Sequence, residues 1–246
     1  MATIVLVHGA WQGGWAWRRV TRGLRLAGHD VYVPTLTGLG ERRHLLRQDV
    51  GLDTHVEDVR AVLDFEDLTG VVLVGHSYGG VVVTAAAEHA ASRIARLVYV
   101  DAFLPDDCQS VFDLQPPALR ERFWTAARDR GDGWRIPADD TLLDIWGLTD
   151  PDDRAWVGAK LTDLPVRCFE QAVRLPQHAA AGIPSEYVAC TACPAAAVFA
   201  PFAARARTAG WVVSELPTGH LPMVSTPEEL STTLHRAAAK AISRTG

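Results

Sequence analysis

The stretch VVLVGHSYGG, Val71 to Gly80, places a serine between glycines directly after a run of four apolar residues. The apolar run is typical of a buried strand, and the small residues that follow are typical of a packed helix. Its core GHSYG, residues 75–79, matches the pattern G-x-S-x-G. Between a strand and a helix, this pattern forms a sharp, strained turn that carries the serine. The glycines relieve crowding in a sharp turn and leave the serine hydroxyl exposed. We therefore predict that Ser77 is a nucleophile and not part of an ordinary glycine-rich turn.

Short apolar runs alternate with helix-like segments on both sides of this stretch. Strands are predicted at Thr3–Val7, Asp30–Pro34, Val71–Gly75, Arg96–Val100, Tyr187–Cys190 and Trp211–Leu216. Helices are predicted at Trp15–Ala27, Leu52–Leu68, Gly79–Ala90, Phe202–Ala209 and Pro227–Ala241. This alternation predicts an α/β fold with a mostly parallel six-stranded sheet and helices on both faces.

The alternation breaks after the fourth predicted strand. Residues 104–184 contain eight of the 14 prolines and four of the eight tryptophans, with many acidic residues and no clear strand. We interpret this segment as a helical cap inserted into the sheet domain. The predicted organisation is a core of residues 1–103 and 185–246, with the cap formed by residues 104–184.

Composition excludes several classes of function. The chain has 246 residues and a net charge of −5, which argues against nucleic acid as a partner because phosphate binding needs a basic excess. No apolar run reaches the length of about 18 residues needed to span a bilayer, so no membrane contact is predicted. The N-terminus does not resemble a signal peptide, so we expect a cytoplasmic location with reduced cysteines. Oligomeric state stays open, and a homodimer is one possibility.

A metal site is not predicted. The pair Cys190 and Cys193 forms a lone CxxC, and zinc needs two further ligands at suitable spacing, which the neighbouring sequence does not offer. We interpret the two cysteines as small, mostly buried side chains at the end of a strand.

A serine hydroxyl needs a base and oxyanion donors before it can react. Among nine histidines the best base is His220, in the segment PTGH (217–220) directly after the last predicted strand. That loop faces the same sheet edge as the loop of Ser77. The predicted oxyanion donors are the backbone N–H of Tyr78 and, in the loop after the first strand, the backbone N–H of Ala10. His8 and His76 are expected to have structural roles.

The motifs HGAWQGGWAW (8–17), GHSYGG (75–80) and TGH (218–220) together resemble an α/β-hydrolase. Within that superfamily the chain is similar to the plant methylesterase and hydroxynitrile lyase group and its bacterial esterase relatives. The resemblance covers the sheet elements and is weak through the cap. It implies the α/β-hydrolase fold, the roles given above for Ser77, His220, Ala10 and Tyr78, and no cofactor.

The acid that orients the base is missing from its usual place in this family. That place, after the penultimate strand, reads CTACP (190–194), and residues 187–214 contain no Asp or Glu. Lipases of the pancreatic type carry the acid after the strand that follows the nucleophile's helix. Asp101 has that position here, so we predict Asp101 as the triad acid. Glu215 and a dyad without any acid are the alternatives.

The reaction expected is hydrolysis of a carboxylic ester of a small apolar or aromatic substrate through an acyl-enzyme. Hydroxynitrile lyases of this group resemble each other in a threonine after the first histidine and a lysine after the catalytic one, where this chain has Gly9 and Leu221. Two alternatives remain. One is a tailoring hydrolase or lyase that acts on a lactone, amide or C–C bond of a polyketide-like metabolite. The other is a non-catalytic ligand-binding protein with a decayed triad.

Aromatic side chains are expected to line the space above Ser77. The candidates in and next to the cap are Phe103, Phe112, Phe123, Trp124, Trp134, Trp146, Trp156 and Phe169. Trp11 and Leu221 are predicted to contact substrate, and Tyr78 to line the pocket with them, because their backbones belong to the catalytic loops. Trp124 and His178 are predicted to contact it from the cap. Apolar walls with few polar groups suit an apolar or aromatic ester.

Overall fold

The computed structural model describes residues 1–242 and contains one large parallel sheet. The strands are β1 Thr3–Val7, β2 Asp30–Tyr32, β3 Val71–His76, β4 Ile94–Val100, β5 Arg135–Ile136, β6 Leu164–Pro165, β7 Ser185–Cys190 and β8 Val212–Leu216. Six of them form the sheet in the order β2-β1-β3-β4-β7-β8, and every pairing between neighbours is parallel. The α/β fold and the six-stranded sheet are therefore confirmed.

Strand β3 lies in the middle of this sheet because the side chains on both of its faces are apolar or buried. All six of its residues are buried, which requires cover on both faces of the sheet. It pairs with β1 on one side and with β4 on the other, and His76 lies opposite Val100 at the end of the β3–β4 pair. The carboxyl ends of β3 and β4 are therefore level with each other.

The helices of residues 1–242 follow the alternation that the sequence predicts in the core and add short elements in the cap. They are α1 Arg18–Leu26, α2 Leu52–Phe65, α3 Gly79–Ala90, α4 Val111–Leu114, α5 Pro117–Arg130, α6 Thr141–Ile145, α7 Pro151–Gly158, α8 Arg167–Glu170, α9 Ala196–Thr208, α10 Pro222–Ser225 and α11 Pro227–Ile242. Short 3₁₀ helices span Gly14–Trp17, Gly40–Leu45, Ala91–Arg93 and Ala179–Gly182. Helix α1 packs against α11 and α2 packs against α3, while both α3 and α11 contact β3.

Differences from the predicted elements are confined to their ends, with two exceptions. Helix α9 begins at Ala196 instead of near Phe202, because Pro201 lies inside the helix and not at its start. The predicted loop after β2 contains the 3₁₀ helix Gly40–Leu45.

The segment between β4 and β7 lies outside the parallel sheet. It contains α4 to α8 and one antiparallel pair, in which Arg135 is opposite Pro165 and Ile136 is opposite Leu164. No clear strand is predicted here from the sequence, because these two-residue strands are too short to give an alternating pattern. The division into a core and a cap domain stays a prediction.

Candidate active site

Ser77 stands on a strained turn at the carboxyl end of β3. Its φ angle is 55°, in the left-handed region that non-glycine residues rarely adopt. The Ser77 N–H donates to the carbonyl of Val100 at 3.2 Å, and the Ser77 carbonyl accepts from the N–H groups of Phe103 at 3.2 Å and Gly80 at 3.0 Å. Three backbone hydrogen bonds thus hold the turn that carries the hydroxyl.

Glycines make the close packing around this turn possible. A Cβ atom on Gly75 would lie 2.5 Å from the carbonyl oxygen of Gly79, and one on Gly80 would lie 2.5 Å from that of Phe103. A Cβ on Gly79 would lie 2.8 Å from the carbonyl oxygen of His8. Each of these contacts is with backbone, which cannot move away as a flexible side chain would.

Asp101 and His220 form a buried pair at the same sheet edge. The His220 Nδ1 and the Asp101 Oδ2 are 2.6 Å apart, and the two side chains are 2% and 1% exposed. The other carboxylate oxygen, Oδ1, accepts from the N–H of Cys190 at 3.1 Å. Asp101 itself follows β4 with a φ angle of 42°. The predicted acid and base are therefore in contact, whereas Glu215 is exposed in β8 and pairs with Arg207.

Backbone and ring contacts fix His220. Its N–H donates to the carbonyl of Trp146 at 2.8 Å, and its carbonyl accepts from Nε2 of His76 at 2.8 Å. Its ring stacks on Phe199 with 4.6 Å between centroids and 14° between planes. Burial keeps the pKa of His76 well below its ordinary value, so His76 is neutral and donates through Nε2–H. His76 is thus a positioning residue for the backbone of His220.

The predicted oxyanion donors lie at the ends of β1 and β3. Ala10 and Tyr78 are both buried, and within residues 1–242 neither backbone N–H is paired with an acceptor. Trp11, next to Ala10, has a φ angle of 61°. A Cβ on Gly9 would lie 2.8 Å from Nδ1 of His76, so this loop can approach the Ser77 turn because Gly9 has no side chain.

Two buried histidines support the oxyanion loops. His8 Nδ1–H donates to the Gly9 carbonyl at 2.8 Å, while its Nε2 accepts from the Leu36 N–H at 3.0 Å. His55 Nε2–H donates to the Thr37 carbonyl at 2.9 Å, and its Nδ1 accepts from the Tyr78 hydroxyl at 2.9 Å. Burial lowers the pKa of each histidine to about 4, so both are neutral near pH 7.

A small, narrow apolar cavity lies between Ser77 and the cap. Its lining consists of Trp11, Ser77, Phe103, Gln115, Leu119, Phe123, Leu142, Ile145, Trp146, Phe169, Ala195, Val198, Phe199 and His220. Four of the eight aromatic candidates from the sequence line it: Phe103, Phe123, Trp146 and Phe169. Trp11 lines it as well, whereas Ala10 lies in the loop beside it.

The structure places three predicted substrate-contacting residues away from this lining. Trp124 stacks on Phe112 with 5.4 Å between ring centroids and does not line the cavity. Leu221 is buried at the start of α10. His178 lines a separate cavity with Glu88 and Arg205, because the 3₁₀ helix after it packs on α3.

The sequence pattern did not predict the aliphatic residues of the lining, nor the two larger side chains Gln115 and Phe199. Both belong to segments with no pattern that points toward Ser77: Gln115 follows the four-residue helix α4, and Phe199 lies in the part of α9 that precedes Pro201. Phe199 could have been predicted as a buried residue, because its spacing from Phe202 and Ala206 puts the three apolar side chains on one face of a helix.

Cys193, which lies in the place of the family's usual acid, is a free thiol whose pKa is raised by burial and by the nearby Asp101.

Within residues 1–242 no group of three or more His, Cys, Asp or Glu side chains is arranged to hold a metal ion. Over the same residues, no helix combines the length and the apolar character that crossing a bilayer requires.

A family model described as "Alpha/beta hydrolase family" matches residues 4–233. The chain belongs to the alpha/beta hydrolase family. This membership agrees with the strained serine turn and the buried Asp101–His220 pair. Among curated proteins, a carbendazim hydrolyzing esterase from Nocardioides sp. is 37% identical over 243 residues, covering 94% of this chain and 97% of that protein. The methylesterase 7 of Arabidopsis thaliana is 36% identical over 107 residues, which is 42% of this chain.

Solved structures agree on the fold of this alpha/beta hydrolase. An extracellular alpha/beta-hydrolase from a Paenibacillus species superimposes with a TM-score of 0.83 at 24% identity, covering 97% of this chain and 99% of that one. A methylesterase from Arabidopsis superimposes with a TM-score of 0.77 at 21% identity, covering 97% and 99%. The predicted resemblance is thereby confirmed, and the names of the relatives support the prediction of a carboxylic-ester hydrolase.

Proposed function

We propose that this alpha/beta hydrolase is a serine esterase that cleaves carboxylic esters of small apolar or aromatic substrates through an acyl-enzyme. The observation that carries the proposal is the 2.6 Å contact between Nδ1 of His220 and Oδ2 of Asp101. His220 and Ser77 line the same cavity, which supports a role for His220 as the base that activates the hydroxyl.

The first half of the reaction transfers the acyl group to Ser77. The buried Asp101 carboxylate accepts from Nδ1–H of His220, which leaves Nε2 as the free basic nitrogen. Nε2 takes the Ser77 proton as Oγ attacks the ester carbonyl. The developing oxyanion lies between the N–H groups of Ala10 and Tyr78, which have no other acceptor within residues 1–242. His220 then gives its proton to the leaving alcohol.

The second half releases the acid. Water replaces the alcohol, His220 takes a proton from it, and the hydroxide attacks the acyl-enzyme carbonyl with the same oxyanion donors in place. The tetrahedral intermediate collapses, the bond to Ser77 Oγ breaks, and His220 returns the proton to Ser77. Asp101 orients His220 and stabilises the imidazolium in both halves.

The cavity supports an apolar or aromatic substrate. Aside from Ser77 and His220, its lining within residues 1–242 is aromatic or aliphatic except for Gln115. Trp11 contacts Phe123 and Phe169, with ring centroids 5.2 Å and 5.5 Å away, so the wall beside Ser77 is rigid and narrow. The Nocardioides relative, by its name a carbendazim hydrolyzing esterase, supports esterase chemistry on a small molecule.

A cyanohydrin lyase and a non-catalytic binding protein have less support than an esterase. Gly9 and Leu221 provide no cationic or hydroxyl group for a leaving cyanide, which argues against a cyanohydrin lyase. A decayed binding protein would not need to retain a buried carboxylate aligned on a histidine, since burying a charge costs free energy unless a partner compensates it.

Covalent labelling and turnover together test the proposal. The wild type should hydrolyse phenyl acetate and become labelled by a fluorophosphonate at Ser77, as located by peptide mass spectrometry. Ser77→Ala should lose both properties, whereas Ser92→Ala, the same change at an exposed position, should keep them. Labelling at a different residue, or turnover that survives in Ser77→Ala, would contradict the proposal.

A further inference from the structure

Gln115 is a polar side chain of the Ser77 cavity that the proposed reaction does not use. It is 7% exposed, and its Oε1 is fully enclosed. Within residues 1–242 no protein group donates a hydrogen bond to this oxygen. Buried amide oxygens in native proteins almost always have a donor, so an exception inside a substrate cavity points to a ligand group.

The backbone around Gln115 is held firmly enough to aim the amide. Helix α4 just before it has a capping box, in which Ser110 Oγ accepts from the Asp113 N–H at 3.2 Å and Asp113 Oδ2 accepts from the Ser110 N–H at 2.8 Å. Gln115 is extended, with φ −93° and ψ 149°, and the prolines at 116 and 117 follow. A residue before proline is restricted to this extended region, so the backbone that carries the side chain is set locally.

The surroundings of the amide offer it no alternative partner. Neighbouring lining residues such as Leu119, Phe123 and Phe169 are apolar. Trp11 is the nearby indole of the oxyanion loop, and its Nε1–H already donates to the carbonyl of Ile136 at 3.0 Å. The amide is therefore an isolated hydrogen-bonding group in an aromatic wall, which is the arrangement that fixes ligand orientation in small-molecule sites.

We infer that Gln115 is a specificity-determining residue, whose Oε1 accepts a hydrogen bond from an N–H or O–H donor on the apolar or aromatic body of the ester. This inference rests on the proposed esterase function and narrows its substrate class. The preferred substrates carry a hydrogen-bond donor on the ring and an ester group at Ser77. With a ring of the same shape that lacks the donor, Oε1 stays unpaired in the complex. The transition state of that substrate is therefore stabilised less.

Matched heteroaromatic esters test this. Methyl indolecarboxylates, with the ester at each available ring position, are compared with the corresponding benzofurans, which replace the ring N–H by oxygen. A second series compares methyl hydroxybenzoates with methyl toluates and separates O–H from N–H recognition. The readout is the ratio of kcat/KM within each pair, in which a general loss of activity cancels. The best pair in the wild type should favour the donor about tenfold, the size of one neutral hydrogen bond.

Three variants identify the residue responsible. Gln115→Met keeps the shape and removes the acceptor, so the ratio should fall to about one. Gln115→Glu keeps a carboxyl oxygen and should retain a preference for the donor. Gln48→Met makes the same exchange at an exposed position and should behave as the wild type. The inference is wrong if no pair shows a preference in the wild type, or if the preference persists in Gln115→Met.

A binding measurement distinguishes failure of the proposed esterase function from failure of the inference about Gln115. If the wild type does not hydrolyse phenyl acetate, the esterase proposal fails, and the dissociation constants of the same ester pairs, measured by calorimetry, test Gln115 instead. A tenfold difference that disappears in Gln115→Met supports the role of Gln115 in binding. Equal dissociation constants for all pairs overturn it.

Discussion

Ser77 and Asp101 occupy equivalent positions at the ends of two adjacent parallel strands, and both have left-handed backbone conformations. The last register pair of β3 and β4 is His76 with Val100, so each residue is the first beyond its strand. Their φ angles are 55° and 42°. The shared conformation turns each side chain away from its own strand at the same sheet edge, which is where His220 lies between the nucleophile's cavity and the carboxylate.

This geometry makes the role of Asp101 testable by an isosteric change. Asp101→Asn should lower kcat/KM for phenyl acetate by a factor on the order of 10³–10⁴, because the amide no longer holds the Nδ1–H tautomer or stabilises the imidazolium. Asp49→Asn, an exposed acid paired with Arg47, should retain wild-type turnover. Equal activity of Asp101→Asn and the wild type would show that the 2.6 Å contact is structural.

The place of Asp101 at this sheet edge was predictable from the strand pattern, whereas its role as the triad acid came from the resemblance to lipases of the pancreatic type and from the missing acid after the penultimate strand. An apolar run that ends in an acid, next in sequence to the nucleophile's helix, places that acid beside the nucleophile whenever sequential strands are neighbours. Strand β1 and helix α3 were predicted with their observed bounds for the same reason: a strand buried on both faces and a small-residue helix leave clear apolar limits.

The cap was much less predictable because its elements are short. Helices of four or five residues, such as α4, α6 and α8, contain too few turns to show a 3.6-residue period. Their order along the chain therefore gives no information about which side chains face Ser77. That is why His178 and Trp124 were expected in the cavity while Gln115 was not.

The glycines of the serine turn should be indispensable. In Gly75→Ala the new Cβ would meet the Gly79 carbonyl at 2.5 Å, and the neighbouring atoms belong to backbone and to Val83. We expect the free energy of unfolding in urea to fall by roughly 1–3 kcal/mol, with loss of turnover as the turn shifts. Gly182→Ala, where nothing lies within 4 Å, should change it by less than about 0.5 kcal/mol. Similar stabilities for the two variants would contradict the steric argument.

Stability should fall steeply in mild acid because of the buried histidines. Burial lowers the folded-state pKa of His8 and His55 to about 4, and lowers that of His76 well below its ordinary value. The unfolded chain takes up these protons near pH 6.5, so between about pH 6 and about pH 4 it binds more protons than the folded chain. The free energy of unfolding should therefore drop by roughly 1 kcal/mol per pH unit for each histidine.

The variant His55→Gln isolates one of these contributions. Its free energy of unfolding is measured by urea titration at several pH values. Between about pH 6 and about pH 4, the slope of this free energy against pH should be smaller than in the wild type by roughly 1 kcal/mol per pH unit. Above about pH 7 the histidine is neutral in both states, so the slopes of variant and wild type should coincide. An unchanged slope in the acid window would mean that His55 is protonated in the folded protein.

Phe123 should set the length of the acyl group that the cavity accepts. Its ring lies 5.2 Å from that of Trp11 and 5.9 Å from that of Phe169, in the aromatic part of the cavity lining. Phe123→Val removes most of this ring, and the space gained should admit further methylene groups. We expect the ratio of kcat/KM for phenyl octanoate to that for phenyl acetate to rise about tenfold, since one or two methylenes in an apolar pocket contribute on that order.

Phe65→Val is the matched control, because Phe65 is 89% exposed at the end of α2 and has no place in the cavity. The octanoate-to-acetate ratio of this control should equal that of the wild type. Phe123→Val should also unfold at a lower temperature, because it leaves a void among the aromatic rings. A lower melting temperature without a change in the ratio would place the acyl chain along a different wall, with Leu142 and Ile145 as the residues to exchange next.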